Sequence, residues 1–212
     1  GCTSFELFRR WVVSDKKILE LEKATKQTEL QQLKKQINPH FLFNMLNNAN
    51  ILVKDAPDEA SQILEKLDNL LRYQLNDSTR REVFLTADIQ FLTSFLELEK
   101  VRRDHFEYTI FQEGNMENIC IPPLLFIPFV ENAVKHNLDS DNLSYVHLYF
   151  SVHNKQLTFR CENSKPRVPV KREGGIGLAN VKRRLDLLYE SRYTLQIEDK
   201  ETTYNVNLHL NL

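Results

Sequence analysis

The chain changes its period once, and that change constrains the fold more than any other feature. Up to Arg103 the apolar residues recur at intervals of three and four; beyond it they alternate with polar ones. The first pattern belongs to helices that bury one face, the second to half-buried strands. From Ser14 to about Val53 there is no glycine and a single proline, Pro39. "SDKKILELEKATKQTELQQLKKQ" is charged, with thin apolar positions at Ile18, Leu21, Leu30, Leu33 and Ile37 and a phase break near Thr25 to Thr28. That pattern is too sparse for a globular core but adequate for a narrow helix–helix seam. A helix of this length, roughly 60 Å at about 1.5 Å per residue, is not stable alone and calls for a partner helix, as in a coiled coil.

"KDAPDEA" (54–60) predicts a turn, with Pro57 suited to the first helical position. A second helix follows, with Ile63, Leu64, Leu67, Leu70 and Leu71 on one face. Two helices joined this closely form a hairpin, and two hairpins bury both seams in a four-helix bundle, so a homodimer is expected. A third helix is expected over about Ala87 to Arg103, with Thr86 as its N-cap. Then "HFEYTIF" (105–111), "SYVHLYFSV" (144–152), "QLTFRCEN" (156–163), "YTLQIED" (193–199) and "TYNVNLHLN" (203–211) read as strands. Helices near 123–137 and 178–190 lie between them. The fold class is therefore α+β: a helical hairpin, then an antiparallel or mixed sheet with helices on one face, a sandwich. The boundary is expected near residues 78–85.

Composition bounds the function. The 212 residues suffice for one large or two small domains, and a net charge of −1 excludes broad nucleic-acid binding, which needs a basic surplus. Cys2, Cys120 and Cys161 show no metal-ligand spacing, and their odd number suits a reducing compartment. The longest apolar run, "ICIPPLLFIPFV" (119–130), is too short to span a bilayer and carries three prolines. Because "GCTSFELFRRWVV" lacks an initiating methionine, the chain reads as a fragment of a longer protein.

Three stretches carry chemistry. In "KKQINPHFLFNMLNN" (34–48), Leu33, Ile37, His40, Asn44, Asn47 and Ile51 share a helical face, so a histidine and two amides form a polar island in an apolar stripe. Pro39 cannot donate to the carbonyl of Lys35, so the helix should bend or open just before His40. The plain alternative is a satisfied interfacial histidine beside a kink. In "PFVENAVKHN" (128–137) a helix gathers Glu131, Asn132, Lys135 and His136. A carboxylate and an amide suit a hydrated Mg²⁺, and lysine offers a point charge for phosphate. The alternative is a solvated helix face. In "EGGIGLANVKRRL" (173–185) three of the chain's five glycines fall within four residues. Glycine lets backbone approach a ligand closely, and a helix starting near Leu178 offers free N–H groups and a positive dipole end to phosphate. A simple turn is the alternative there. The basic, proline-rich "KPRVPVKRE" (165–173) before it suits a lid or a surface loop.

In this order the motifs resemble the LytS/YehU-type sensor histidine kinases. "LKKQINPHFLFNMLNN" resembles the family's phospho-acceptor region, "IPPLLFIPFVENAVKHN" its N-box and "GGIGLANVKRRL" its G-box; "LLRYQL" (70–75) and "LELEKVR" (96–102) resemble further motifs. The resemblance covers about residues 30 to 190. It implies a linker or signalling helix over 1–29, a dimerising hairpin over 30–80 and a Bergerat-type ATP-binding sandwich over 81–212. It implies ATP and Mg²⁺ as cofactors, with His40 phosphorylated and the phosphoryl group passed to an aspartate in a response-regulator receiver domain. It assigns Asn132 to Mg²⁺, Glu131 to its water-holding partner, Lys135 and His136 to the nucleotide, and Gly175 and Gly177 to the phosphate loop. It implies a cytoplasmic portion of an inner-membrane protein, anchored through an N-terminal region outside the chain.

Two positions depart from the family pattern. Strand parity puts Asn163 where many relatives have an aspartate that accepts from the adenine amino group, at an expected cost of about 1 kcal/mol for the lost charge assistance. Glu173 stands where the G-box has its first glycine. Weak ATP affinity follows. Phe41 after His40 leaves no adjacent carboxylate as a base. Asn44, one turn on, stands where other histidine kinases position a water for regulator dephosphorylation. The competing reading is a degenerate dimeric scaffold that binds a regulator without phosphorylating it.

Overall fold

In the computed structural model the described residues are 39–137, 143–166 and 176–212, with side chains from Phe41 and, after the last gap, from Leu178. The expected signalling helix over 14–37, the bend before His40, Glu173, Gly175 and most of the 165–173 segment lie outside them. Residues 37–212 form one compact unit.

Helix α1 (Pro39–Asp55) and helix α2 (Pro57–Asn76) are joined by Ala56 alone. Pro57 opens α2 at its first turn, where the missing N–H costs nothing. The buried residues of the hairpin are Met45 and Ala49 of α1 and Ala60, Ile63, Leu67, Leu70 and Tyr73 of α2, and the Tyr73 ring stacks on Phe91 of the next helix. Neither Asn44 nor Asn47 is among these buried residues. Asn44 is half-buried, while Asn47 and Ile51 are exposed.

A 3₁₀ turn (Asp77–Thr79) and strand β1 (Val83–Phe84) lead into helix α3 (Leu85–Arg102). Thr86 does not cap α3. The helix starts at Leu85 with Phe84 in the cap position and no side-chain cap. The reason lies in the pairing of β1 with strand β3 (Cys120–Ile121), which brings the Ile119 carbonyl to the Leu85 N–H at 2.8 Å. A backbone acceptor replaces the side-chain cap.

The main sheet holds strands β2 (Phe106–Gly114), β4 (Ser144–His153), β5 (Gln156–Ser164), β6 (Tyr193–Asp199) and β7 (Thr203–Asn211) in the order β2-β4-β5-β7-β6. Only β2 and β4 run parallel. All five segments expected as strands are strands. Helix α4 (Ile127–His136) and helix α5 (Ile176–Tyr189) connect them. The register stacks Leu148, Cys161 and Val206 in one cross-strand row and Phe150, Phe159 and Leu208 in the next, all buried. A slip of one residue would turn every one of them to the other face. Phe126 sits on this surface, 4.5 Å from Phe159 and edge-on to Phe150 at 5.3 Å between centroids. The fold is α+β, a hairpin and a third helix with a helix-covered mixed sheet.

Candidate functional site

Helix α4 begins later than the sequence suggests because Leu124 has φ 56, a left-handed conformation that breaks the chain before Ile127. Its buried residues Phe129, Val130, Ala133 and Val134 face the core. The candidate residues occupy the remaining arc. Glu131, Asn132 and His136 are half-buried, and Lys135 is exposed. Helix α4 packs against β5 and α5. The structure thus brings together the elements that carry Asn132, Lys135 and His136 with those that carry Asn163 and Leu178. Asn163 is 1% exposed near the end of β5, on the same sheet face as Phe159 and Cys161, and its amide donates to the Ser164 carbonyl at 2.8 Å. Leu178 is exposed in the first turns of α5; Gly177 belongs to that helix, and His40 to the first turn of α1.

Glu131 points elsewhere than its neighbours. It lines a cavity with Phe41 and Leu42 of α1, Leu70 and Gln74 of α2, Phe91 and Phe95 of α3, and Ile127 of its own helix. The Phe41 ring lies tilted against Phe95, 5.0 Å between centroids. In that apolar setting burial, and then the charge of Glu99, push the Glu131 carboxyl up to about 7. Glu99 is itself buried and accepts from the Arg102 guanidinium at 2.6 Å. This is the link from the α4 motif to the histidine-bearing helix: Phe41 and Leu42 are the two residues after His40.

Two polar clusters frame α4, and both contain residues the motifs did not reveal. At its C-terminal end Arg103 donates to the carboxamide oxygen of Asn137 at 3.0 Å, the Asn137 carbonyl at 3.3 Å, the Val134 carbonyl at 3.4 Å and the Ser144 hydroxyl at 2.8 Å. Its guanidinium also lies over the Phe106 ring at 4.6 Å. A cation here meets the negative end of the helix dipole and satisfies its last carbonyls. At the N-terminal end Asp88 is fully buried and accepts from the Tyr73 hydroxyl and from the Leu124 N–H at 3.0 Å. Arg184 of α5, also buried, donates to the carbonyls of Pro123 and Leu124. Burial, opposed by these donors and by the Arg184 charge, holds the Asp88 carboxyl at about 6.

The chain is similar to known histidine kinases. The histidine kinase family model matches residues 28–106. The sensor protein LytS of Staphylococcus haemolyticus is 30% identical over 203 residues, covering 89% of this chain and 35% of that protein. The chain is similar to the LytS-type sensor histidine kinases over nearly its whole length. The sensor histidine kinase YpdA of Escherichia coli is 31% identical over 56% of this chain and 21% of that one. The sensor histidine kinase/phosphatase LytS of Staphylococcus aureus is 32% identical over 54% of this chain and 20% of its own length. The chain thus spans about a third of the first relative and about a fifth of the other two. The histidine kinase domain of a blue-light activated kinase from Erythrobacter litoralis has a TM-score of 0.48 and 16% identity, covering 89% of this chain and 93% of that one. That likeness is too loose to assign any residue. Among the described residues no helix is long and apolar enough to cross a membrane.

Proposed function

We propose that this chain is the catalytic portion of a two-component sensor histidine kinase, which phosphorylates itself on His40 from ATP and passes the group to a response-regulator aspartate. One observation carries the reading: Glu131 of the N-box helix and the turn that follows His40 line a common cavity. A carboxyl held at about 7 can take up or release a proton near neutral pH, as a general base must.

In the proposed reaction a ring nitrogen of neutral His40 attacks the γ-phosphorus. A nitrogen–phosphorus bond forms, the bond from γ-phosphorus to the bridging oxygen breaks, and ADP leaves with the electron pair. The phosphoimidazolium then sheds its one remaining N–H proton, from the other ring nitrogen, to Glu131, which supplies the base that Phe41 does not. Mg²⁺, when bound, offsets the charge of the nucleotide phosphates. Asn132 would offer the ion an oxygen donor on α4, while the Glu131 carboxyl faces the cavity beside Phe41 and Leu42. Among the described residues no three His, Cys, Asp or Glu side chains converge into an all-protein cage, so the donor set fits an ion that keeps most of its waters. Lys135 and His136 would contact the nucleotide, with Gly175, Gly177 and the α5 N-terminus by Leu178 at its phosphates. Asn163 would accept from the adenine amino group.

The hairpin leaves an apolar outer surface. Phe43, Leu46 and Val53 share one stripe of α1, and Leu64 and Leu75 one stripe of α2, all exposed. A second copy would cover them in a four-helix bundle, with 30–80 as the dimerising unit, 81–212 as the ATP-binding unit and 1–29 as the incoming helix. Membrane attachment would lie in a region outside this chain. The Staphylococcus aureus relative is named a sensor histidine kinase/phosphatase, and Asn44 is the residue assigned here to position the attacking water on the regulator.

The test is incubation with γ-labelled ATP and Mg²⁺. Wild type should take up label, His40→Gln none, and Asn132→Ala at most a trace. Equal labelling of wild type and His40→Gln would remove the assignment; a chain that binds a regulator but takes no label would establish the scaffold reading.

A further inference from the structure

Three helices converge on one strained residue. Leu124, with φ 56, is a γ-branched side chain in a conformation that ordinarily favours glycine. Such a residue persists only where its surroundings over-determine it. Here they do. Its N–H is held by Asp88 from α3 and its C=O by Arg184 from α5, which also holds the carbonyl of Pro123. Tyr73, three residues from the end of α2, donates its hydroxyl to the same Asp88 oxygen and stacks on Phe91 at 4.7 Å. All four residues are buried. Leu124 lies three residues before α4, the helix of Glu131 and Asn132, and Arg184 lies on the helix that follows the glycine cluster. The hub therefore joins the hairpin, the N-box helix and the G-box helix at the two peptide units that flank Leu124.

We propose that Tyr73, Asp88 and Arg184 are positioning residues for the phosphoryl transfer, holding the hairpin in register with α4 and α5 through Leu124. This rests on the kinase reading above. The geometry divides the labour. Arg184 spans two carbonyls with its planar fork and so fixes α5 to the entry of α4, which are both nucleotide-side elements. The Tyr73 hydroxyl fixes the hairpin to Asp88 and meets the Leu124 backbone, which the Arg184 fork and the Asp88 carboxyl still hold when that hydroxyl is removed. Losing the hydroxyl should leave nucleotide binding intact while spoiling the alignment of His40. Losing the fork should weaken nucleotide binding itself.

The experiment compares wild type, Tyr73→Phe and Arg184→Lys in the full chain. Three quantities are measured: affinity for a fluorescent ATP analogue with Mg²⁺, the His40 labelling rate at saturating ATP, and melting temperature. Tyr73→Phe should keep its affinity within about twofold and lose about tenfold or more in saturated rate, since small misplacements of reacting groups are costly. Arg184→Lys should weaken nucleotide affinity by about tenfold, because lysine lacks the planar fork whose two nitrogens each hold one carbonyl. Wild-type rate and affinity in Tyr73→Phe would overturn the proposal. So would a parallel fall of rate and affinity in both variants that tracks lost melting temperature, the mark of a merely structural role. If wild type binds nucleotide but takes no label, the kinase reading fails while the hub is decided by Arg184→Lys, whose unchanged affinity would overturn it. A wild type that binds no nucleotide overturns both.

Discussion

Replacing Asp88 by asparagine should change the pH dependence of stability in a direction fixed by its environment. The folded protein holds this carboxyl at about 6 against an ordinary 3.8, and burial is the largest cause. The folded state thus binds the proton more tightly than the unfolded chain does. The stabilising contribution of the protonated form is fully present below about pH 3.8 and is lost as pH rises through about 6. That gap corresponds to roughly 3 kcal/mol in all, of which about 2 kcal/mol falls between about pH 4.5 and about pH 7. Asparagine keeps an acceptor for the Tyr73 hydroxyl and the Leu124 N–H but does not titrate. Its amide nitrogen would take the place of the carboxyl oxygen that has no partner among the described residues. Burying that unpaired donor costs about 1–3 kcal/mol at every pH. The variant should therefore be clearly less stable than wild type in acid and recover towards it at neutrality. Urea denaturation followed by far-UV circular dichroism, at several pH values, gives the difference curve directly. A difference that stays flat from about pH 4.5 to about pH 7, or widens against the variant as pH rises, would refute the reasoning.

Two other predictions follow from the packing. Arg103→Lys should cost about 2–3 kcal/mol in chemical denaturation, since one ammonium cannot serve the four acceptors at the end of α4 and the Phe106 face; equal stability would mean the clamp contributes nothing. Phe43→Glu combined with Leu46→Glu should give a folded monomer by light scattering while wild type is a dimer, because both side chains are exposed on the outer stripe of α1. A dimer in both proteins would move the interface elsewhere.

The strands were legible because alternation is a local signal, and Leu157, Phe159 and Cys161 carry it into a buried sheet face unchanged. Pro57 was legible for the same reason: its ring dictates where a helix can start, whatever packs around it. Thr86 was misread because the choice between a hydroxyl cap and the Ile119 carbonyl is made by β1–β3 pairing, across 34 residues of sequence. Glu131, Asn132, Lys135 and His136 were legible as a group, but not the turn of Glu131 towards Phe41 and Leu42, which depends on the docking of three helices. Asp88 gave no signal at all: one carboxylate in the first turn of a helix ordinarily faces water. Tyr73 and Arg184 lay inside motifs, "LLRYQL" and "GGIGLANVKRRL", whose periodicity marks them as helix positions without disclosing that they meet at Leu124.

The central claim is that a phosphoryl group from ATP comes to rest on His40. Peptide mapping by mass spectrometry after incubation with ATP and Mg²⁺, handled at neutral to alkaline pH, tests it most directly. The account predicts a single phosphorylated peptide containing His40, its modification lost on brief acid treatment as a nitrogen–phosphorus bond requires. An acid-stable modification, a different histidine, or an unmodified His40 peptide from a protein that has consumed ATP would contradict it.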